Sequence, residues 1–150
     1  MKKENILPLR KTVSSGKKNR TKGHNYERNI TKAFINLGFT KTKSSRAASK
    51  LYDDSGIDHW GIQLPDGRLI LTQCKSGYKN SRPKADVEFK NQQDKIKQSF
   101  HEKSLEASDN NIQLLFHKID DYSPEHHLVT LKYNDFIEIF TEFVKNKNNV

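Results

Sequence analysis

The stretch Ile57-Asp58-His59-Trp60-Gly61-Ile62-Gln63-Leu64-Pro65-Asp66-Gly67-Arg68-Leu69-Ile70-Leu71-Thr72-Gln73-Cys74-Lys75 decides the fold. Residues 57–63 read as a short strand and Leu64-Pro65-Asp66-Gly67 as a hairpin turn. Residues 68–75 read as a stronger strand, with Leu69, Ile70 and Leu71 at its centre. Strand side chains alternate between faces, so Gln73 and Lys75 share one face while Cys74 takes the other. Folding the chain back between residues 62 and 68 then lays Asp58 beside Gln73 and Lys75.

Working upstream, Tyr26, Ile30, Ala33, Phe34 and Leu37 recur at i, i+4, i+7, i+8 and i+11, one stripe of a 3.6-residue period. Asn25 is the expected N-cap and Gly38 the expected stop, which places Glu27 in the first turn, leaning over the sheet edge. Residues 40–56 are polar and irregular, with Asp53, Asp54, Ser55 and Gly56 in a turn. Downstream, 76–84 is a basic loop, and 86–103 a weak helix carried by Val87, Ile96 and Phe100. Residues 112–118 and 128–131 read as strands. Residues 133–147 close as a helix with Phe136, Ile137, Phe140, Phe143 and Val144 on one side. The order is helix, three-strand region, helix, two strands, helix. That order predicts an α/β domain, a mixed sheet flanked by helices.

Only 33% of the 150 residues are hydrophobic and 30% are charged, so one modest core is expected. No apolar run approaches a membrane span, and the basic start lacks the apolar stretch of a signal peptide. Cys74 is the single cysteine, which excludes an internal disulfide and a multi-cysteine zinc cage. An intracellular, cytoplasmic protein without membrane contact is expected. Of the net charge of +9, residues 1–22 supply +7 through eight bases against Glu4. With Ser14-Ser15-Gly16 and the run 17–22 read as flexible linker, residues 1–22 form a basic arm and 23–150 one domain. A basic arm on a near-neutral body suits a polyanion, with Arg20 and Lys22 as candidate phosphate contacts. A solubilising tail is the plainer reading of the same charges.

Hydrolysing a phosphodiester requires neutralising negative charge and activating a water, and carboxylates holding Mg²⁺ with a lysine nearby can do both. An acid, a hairpin and then an acid-x-lysine strand resembles the PD-(D/E)XK nuclease superfamily. The Gln73-x-Lys75 form is similar to its Mrr-type branch and to phage proteins related to Holliday-junction resolvases. Gly23-His24-Asn25-Tyr26-Glu27-Arg28 is similar to the Gly-x-x-x-Glu-Arg opening of archaeal-type resolvases, and Ser45-Arg46-Ala47-Ala48-Ser49 resembles their Arg/Ser loop. The likeness spans roughly residues 23–140.

That resemblance implies a restriction-endonuclease-like αβββαβ core, a bacterial or phage origin and a homodimer acting on DNA, including four-way junctions. It implies Asp58 as the principal ligand of Mg²⁺ (Mn²⁺ substituting), with Gln73 at the second-acid position. It makes Glu27 the residue that completes the metal shell, Lys75 the group at the attacking water, and Arg46 with Ser49 the hold on the scissile strand. Gln73 departs from the usual acid, since an amide oxygen can bind a metal but adds no charge. Tyr78, Lys79, Arg82 and Lys84 follow the catalytic strand, a position suited to phosphate contact. Plainer roles compete throughout: Glu27 as a macrodipole partner, Asp53 and Asp54 as turn residues, Glu88 as a solvated helix residue. Cys74 and Trp60 read as core, His59 faces away from Asp58, and His24 is the one histidine expected near the site.

Overall fold

In a computed structural model, residues 15–78, 84–102, 111–119 and 126–149 are described. The elements are α1 (Ser15–Asn36), β1 (Lys43–Ser44), α2 (Ser45–Ala48), α3 (Lys50–Asp54), β2 (His59–Trp60), β3 (Ile70–Tyr78), α4 (Ala85–Glu102), β4 (Ile112–Ile119), β5 (Leu128–Thr130) and α5 (Tyr133–Asn148). β3, β4 and β5 form a mixed sheet in that order, β4 parallel to β3 and antiparallel to β5, while β1 and β2 form a two-stranded antiparallel ribbon.

The hairpin holds as read. Leu64 N–H donates to Arg68 O at 2.8 Å, Gly67 N–H to Leu64 O at 2.9 Å, and Ile70 N–H to Ile62 O at 3.0 Å. Between the two arms the bridge is Gln63–Leu69; the strand of the first arm, His59–Trp60, is shorter than the expected 57–63 and pairs with β1 instead, and Gly61 at φ +87° breaks the extended run after it. The second arm starts two residues late and runs on to Tyr78.

Alternation along β3 sorts the core into two layers. Ile70 joins Phe34, Ile62 and Ile112 on the α1 side, with Ile30, Phe39, Leu114 and Phe116 packed against them. Leu71 joins Ile57 and Ile96 on the α4 side. There the buried Gln113 amide donates to Phe89 O at 2.9 Å and Gln92 Oε1 at 3.2 Å, satisfying polar groups that would otherwise be costly under the helix. The sheet therefore lies between α1 and α4.

Three expectations are corrected. α1 begins at Ser15, so the linker read at 14–22 is helical from there; its Lys and Arg side chains lose little rotamer freedom in a helix. Asn25 is then interior, and Glu27 is the thirteenth helical residue instead of lying in the first turn. The helix does stop as expected: Gly38 N–H donates to Ile35 O and Phe39 N–H to Phe34 O, both at 3.0 Å, a Schellman closure. Residues 40–56 are not irregular throughout, since β1, α2 and α3 lie within them. In α5 the apolar stripe exists, but no side chain of the helix is buried.

Candidate active site

Asp58 is fixed by its backbone before its side chain does anything. Its N–H donates to Thr72 O at 2.8 Å, and its carbonyl accepts from Ser45 N–H at 3.0 Å. One bond ties it to β3 and the other to the start of α2. Its Oδ2 accepts from Cys74 N–H at 2.6 Å, which latches the carboxylate to the strand as well. Burial pushes the Asp58 carboxyl up to about 7; the Glu27 charge adds to this, while the Cys74 amide, Arg46 and Lys75 oppose it.

Glu27 reaches the same place from α1. Its carboxyl is also pushed up, first by burial and further by Asp53, against the lowering pull of Arg46 and His24. The Arg46 guanidinium pairs with Glu27 Oε2, and its Nη1 lies 2.5 Å from His24 Nε2. Because Glu27 is mid-helix, the macrodipole does not explain it, as that effect is confined to the end turns. Underneath, buried His59 sets its Nε2 2.9 Å from Glu27 O and its Nδ1 2.7 Å from Thr72 Oγ1. A carbonyl only accepts, so Nε2 carries the proton and Nδ1 accepts from the Thr72 hydroxyl. One imidazole thus sets the spacing between the Glu27 turn of α1 and the strand that carries Lys75. His59, expected to face away from Asp58, meets the Glu27 backbone, Thr72 and the Phe34 ring.

Lys75 stands on the α4 face of β3, and the strand takes an extra residue immediately after it, where the register with β4 shifts. Bulges of this kind re-aim side chains. Its Nζ lies 3.4 Å from Glu88 Oε2, both side chains about one-third exposed. Glu88 is therefore not merely a solvated helix residue. Linear spacing could not place it, because residues 79–83 intervene; its position in the first turn of α4, past a basic stretch, was the one available signal. Gln73 shares the Lys75 face as expected, yet its amide nitrogen packs over Gly56, next to the Lys95 side chain. The charges of Glu27, Arg46 and Lys75 thus all act on Asp58, His24 joins them through Arg46, and Gln73 has a neighbouring place by the 53–56 turn.

The expected DNA contacts divide. Arg46 lines a shallow pocket with His24, Glu27, Arg28, Thr31 and Ser44. Ser49 Oγ accepts from Tyr52 N–H at 3.4 Å and caps α3. Arg20 and Lys22 are exposed on α1, Arg20 seven residues before Glu27 and so on the same helical stripe. Lys84 is exposed just before α4. Lys79 and Arg82 lie outside the described residues. Trp60 lines a separate cleft with Phe39, Tyr52 and Lys41, and Cys74 is largely buried, its thiol pushed up by that burial.

Among the described residues no group of three or more His, Cys, Asp and Glu side chains is arranged to hold a metal. The oxygen donors do fit a hard cation. Burial raises both carboxyls and the Glu27 charge raises Asp58 further, so a cation beside them would relieve that cost. Mg²⁺ needs only one or two carboxylates because it keeps several waters. No described helix is long and apolar enough to cross a membrane. In comparison with known proteins, no family model, curated protein or solved structure matches the chain.

Proposed function

We propose that the protein is a Mg²⁺-dependent DNA endonuclease of PD-(D/E)XK type, with a restriction-endonuclease-like core, acting as a homodimer on branched DNA such as four-way junctions. The observation that carries this reading is the convergence of Glu27, Asp58 and Lys75 from a helix, a hairpin arm and the adjoining strand. Asp58 and Glu27 would hold Mg²⁺, with Gln73 oxygen as a further donor. When bound, the ion supplies charge neutralisation and an acidified water. Lys75 brings an ammonium to the charge that grows as the phosphodiester is attacked. Arg46 is exposed beside Glu27 and can hold a phosphate oxygen. Arg20 and Lys22 extend positive charge along α1 toward the DNA backbone.

A second reading is favoured by one observation. Lys75 is engaged by Glu88 and Gln73 adds no charge, an arrangement suited to a DNA-binding module with a vestigial site. Incubating the full chain with four-way junction, duplex and single-stranded DNA, each with Mg²⁺, Mn²⁺ or EDTA, separates the two. Metal-dependent cutting of the junction in preference to duplex is expected. Preferential cutting of duplex would point to a restriction-like nuclease, and binding without cutting in every arm would leave the binding module.

A further inference from the structure

Helix α5 carries a broad apolar surface. Phe136, Ile137, Phe140, Phe143 and Val144 are each 41–54% exposed. Leu128 and Val129 on β5, shortly before the helix, are about half exposed as well. The Phe136 and Phe140 rings stack at 5.5 Å and Phe140 meets Phe143 at 6.0 Å, so the side chains form one ridge. The ridge is symmetric about Phe140, with apolar positions at −4, −3, 0, +3 and +4. Charge at the two ends is antisymmetric about the same residue: Asp135 precedes it, Lys145 and Lys147 follow it. Reversing the helix about Phe140 lays Asp135 on Lys145, Phe136 on Val144, Ile137 on Phe143, and Tyr133 on Lys147. Lys147 already sits over an aromatic ring, 5.0 Å from the Phe143 centroid. The same reversal lays Glu138 on Glu142, but each of these has a base of its own chain, Arg68 for Glu138 and Lys145 for Glu142.

We infer that α5 is a self-association surface, pairing antiparallel with α5 of a second copy across a two-fold axis at Phe140. An isologous interface needs a self-complementary patch, and this helix is one only in the antiparallel sense; parallel pairing would set acid on acid and base on base along its whole length. Covering the exposed apolar area of these residues on both copies buries on the order of 1,000 Å², the floor for a specific interface. The pairing gives a surface to the dimer of the proposed function but is argued from α5 alone; Asp58→Asn should leave it unchanged while removing cleavage, so the failure of the pairing and the failure of the catalytic reading are distinguishable. Sedimentation velocity on the full chain should show a dimer at micromolar concentration. Phe140→Glu should raise its dissociation constant at least ~30-fold, with the far-UV circular dichroism unchanged. Under oxidation, a mixture of Phe136→Cys and Val144→Cys chains should form a mixed disulfide dimer above the wild-type background from Cys74, while either alone should not. A monomer at every concentration overturns the inference; it would mean the ridge is covered by the chain's own apolar segment at residues 6–9 or by nothing. A dimer indifferent to Phe140→Glu, or a mixture that does not cross-link, overturns it equally.

Discussion

The Asp58 carboxyl gives up its proton only near pH 7, whereas an unfolded aspartate releases its own near pH 4. Between those values the folded chain keeps a proton the unfolded chain has lost, so metal-free stability falls as pH rises from about 4 to about 7 and stays low above. Asp58→Asn removes that loss. In EDTA the variant should gain roughly 2–3 kcal/mol on the wild type between pH 5 and pH 8, measured by urea unfolding at both. His59, pushed down by burial, contributes equally to both proteins and cancels. A flat difference would mean the carboxyl is not desolvated. At Lys75, replacement by methionine keeps the stem and removes the charge that, in the proposed function, serves the transition state. Cleavage should drop ~10²-fold or more while DNA affinity falls by about one phosphate contact; gel-shift and cleavage assays on one preparation read both. Equal losses of binding and cutting would instead assign Lys75 to the ground state.

Two glycines of the hairpin arm and turn separate strain from space. At Gly67, with φ +92°, a Cβ would meet nothing, so Gly67→Ala should cost only the left-handed penalty of about 1–2 kcal/mol. At Gly61, with φ +87°, a Cβ would stand 2.6 Å from the Lys41 carbonyl oxygen, so Gly61→Ala should cost about 3 kcal/mol or more. Denaturant midpoints for the pair test this, and equal midpoints would discard the close approach of Gly61 to Lys41. Much at this scale was legible in the sequence: the turn 64–67, the α1 stop at Gly38 and the alternation along β3 are local signals with local causes. The start of α1 was not, because Gly16 and Gly23 mask a helix whose polar first half has no apolar stripe to mark it. Nor were α2 and α3, which are shorter than two periods of any pattern. The pairing of Glu88 with Lys75 could not be read because it depends on how α4 lies over β3. The placing of Asp58 against the strand of Lys75 could be read from the hairpin, while Glu27 was singled out by resemblance; the raised pKa values of the two carboxyls depend on burial that no spacing reports.

For the molecule as a whole, positive charge leads into the site along α1. Replacing exposed Lys17, Lys18, Arg20 and Lys22 by Gln should lower the log–log salt slope of DNA binding by up to about 0.9 for each phosphate no longer neutralised, while leaving the helix in place. An unchanged slope would make this stretch a solubilising one. The sheet has an unequal sequence geography. Asp58 meets its Thr72 partner 14 positions on (58 to 72), whereas β3 meets β4 at partners 42 positions apart (70 to 112). Closing the shorter loop costs less entropy, so the hairpin with both Asp58 and Lys75 can form before the parallel pairing that buries it. The order of events in folding follows from this. Gly67→Ala should slow refolding, while Leu115→Ala, in the late-formed β4, should mainly hasten unfolding, as stopped-flow chevrons would record. The corner that holds Asp58 and Lys75 is then assembled early and waits, solvated, for the rest of the sheet to close over it.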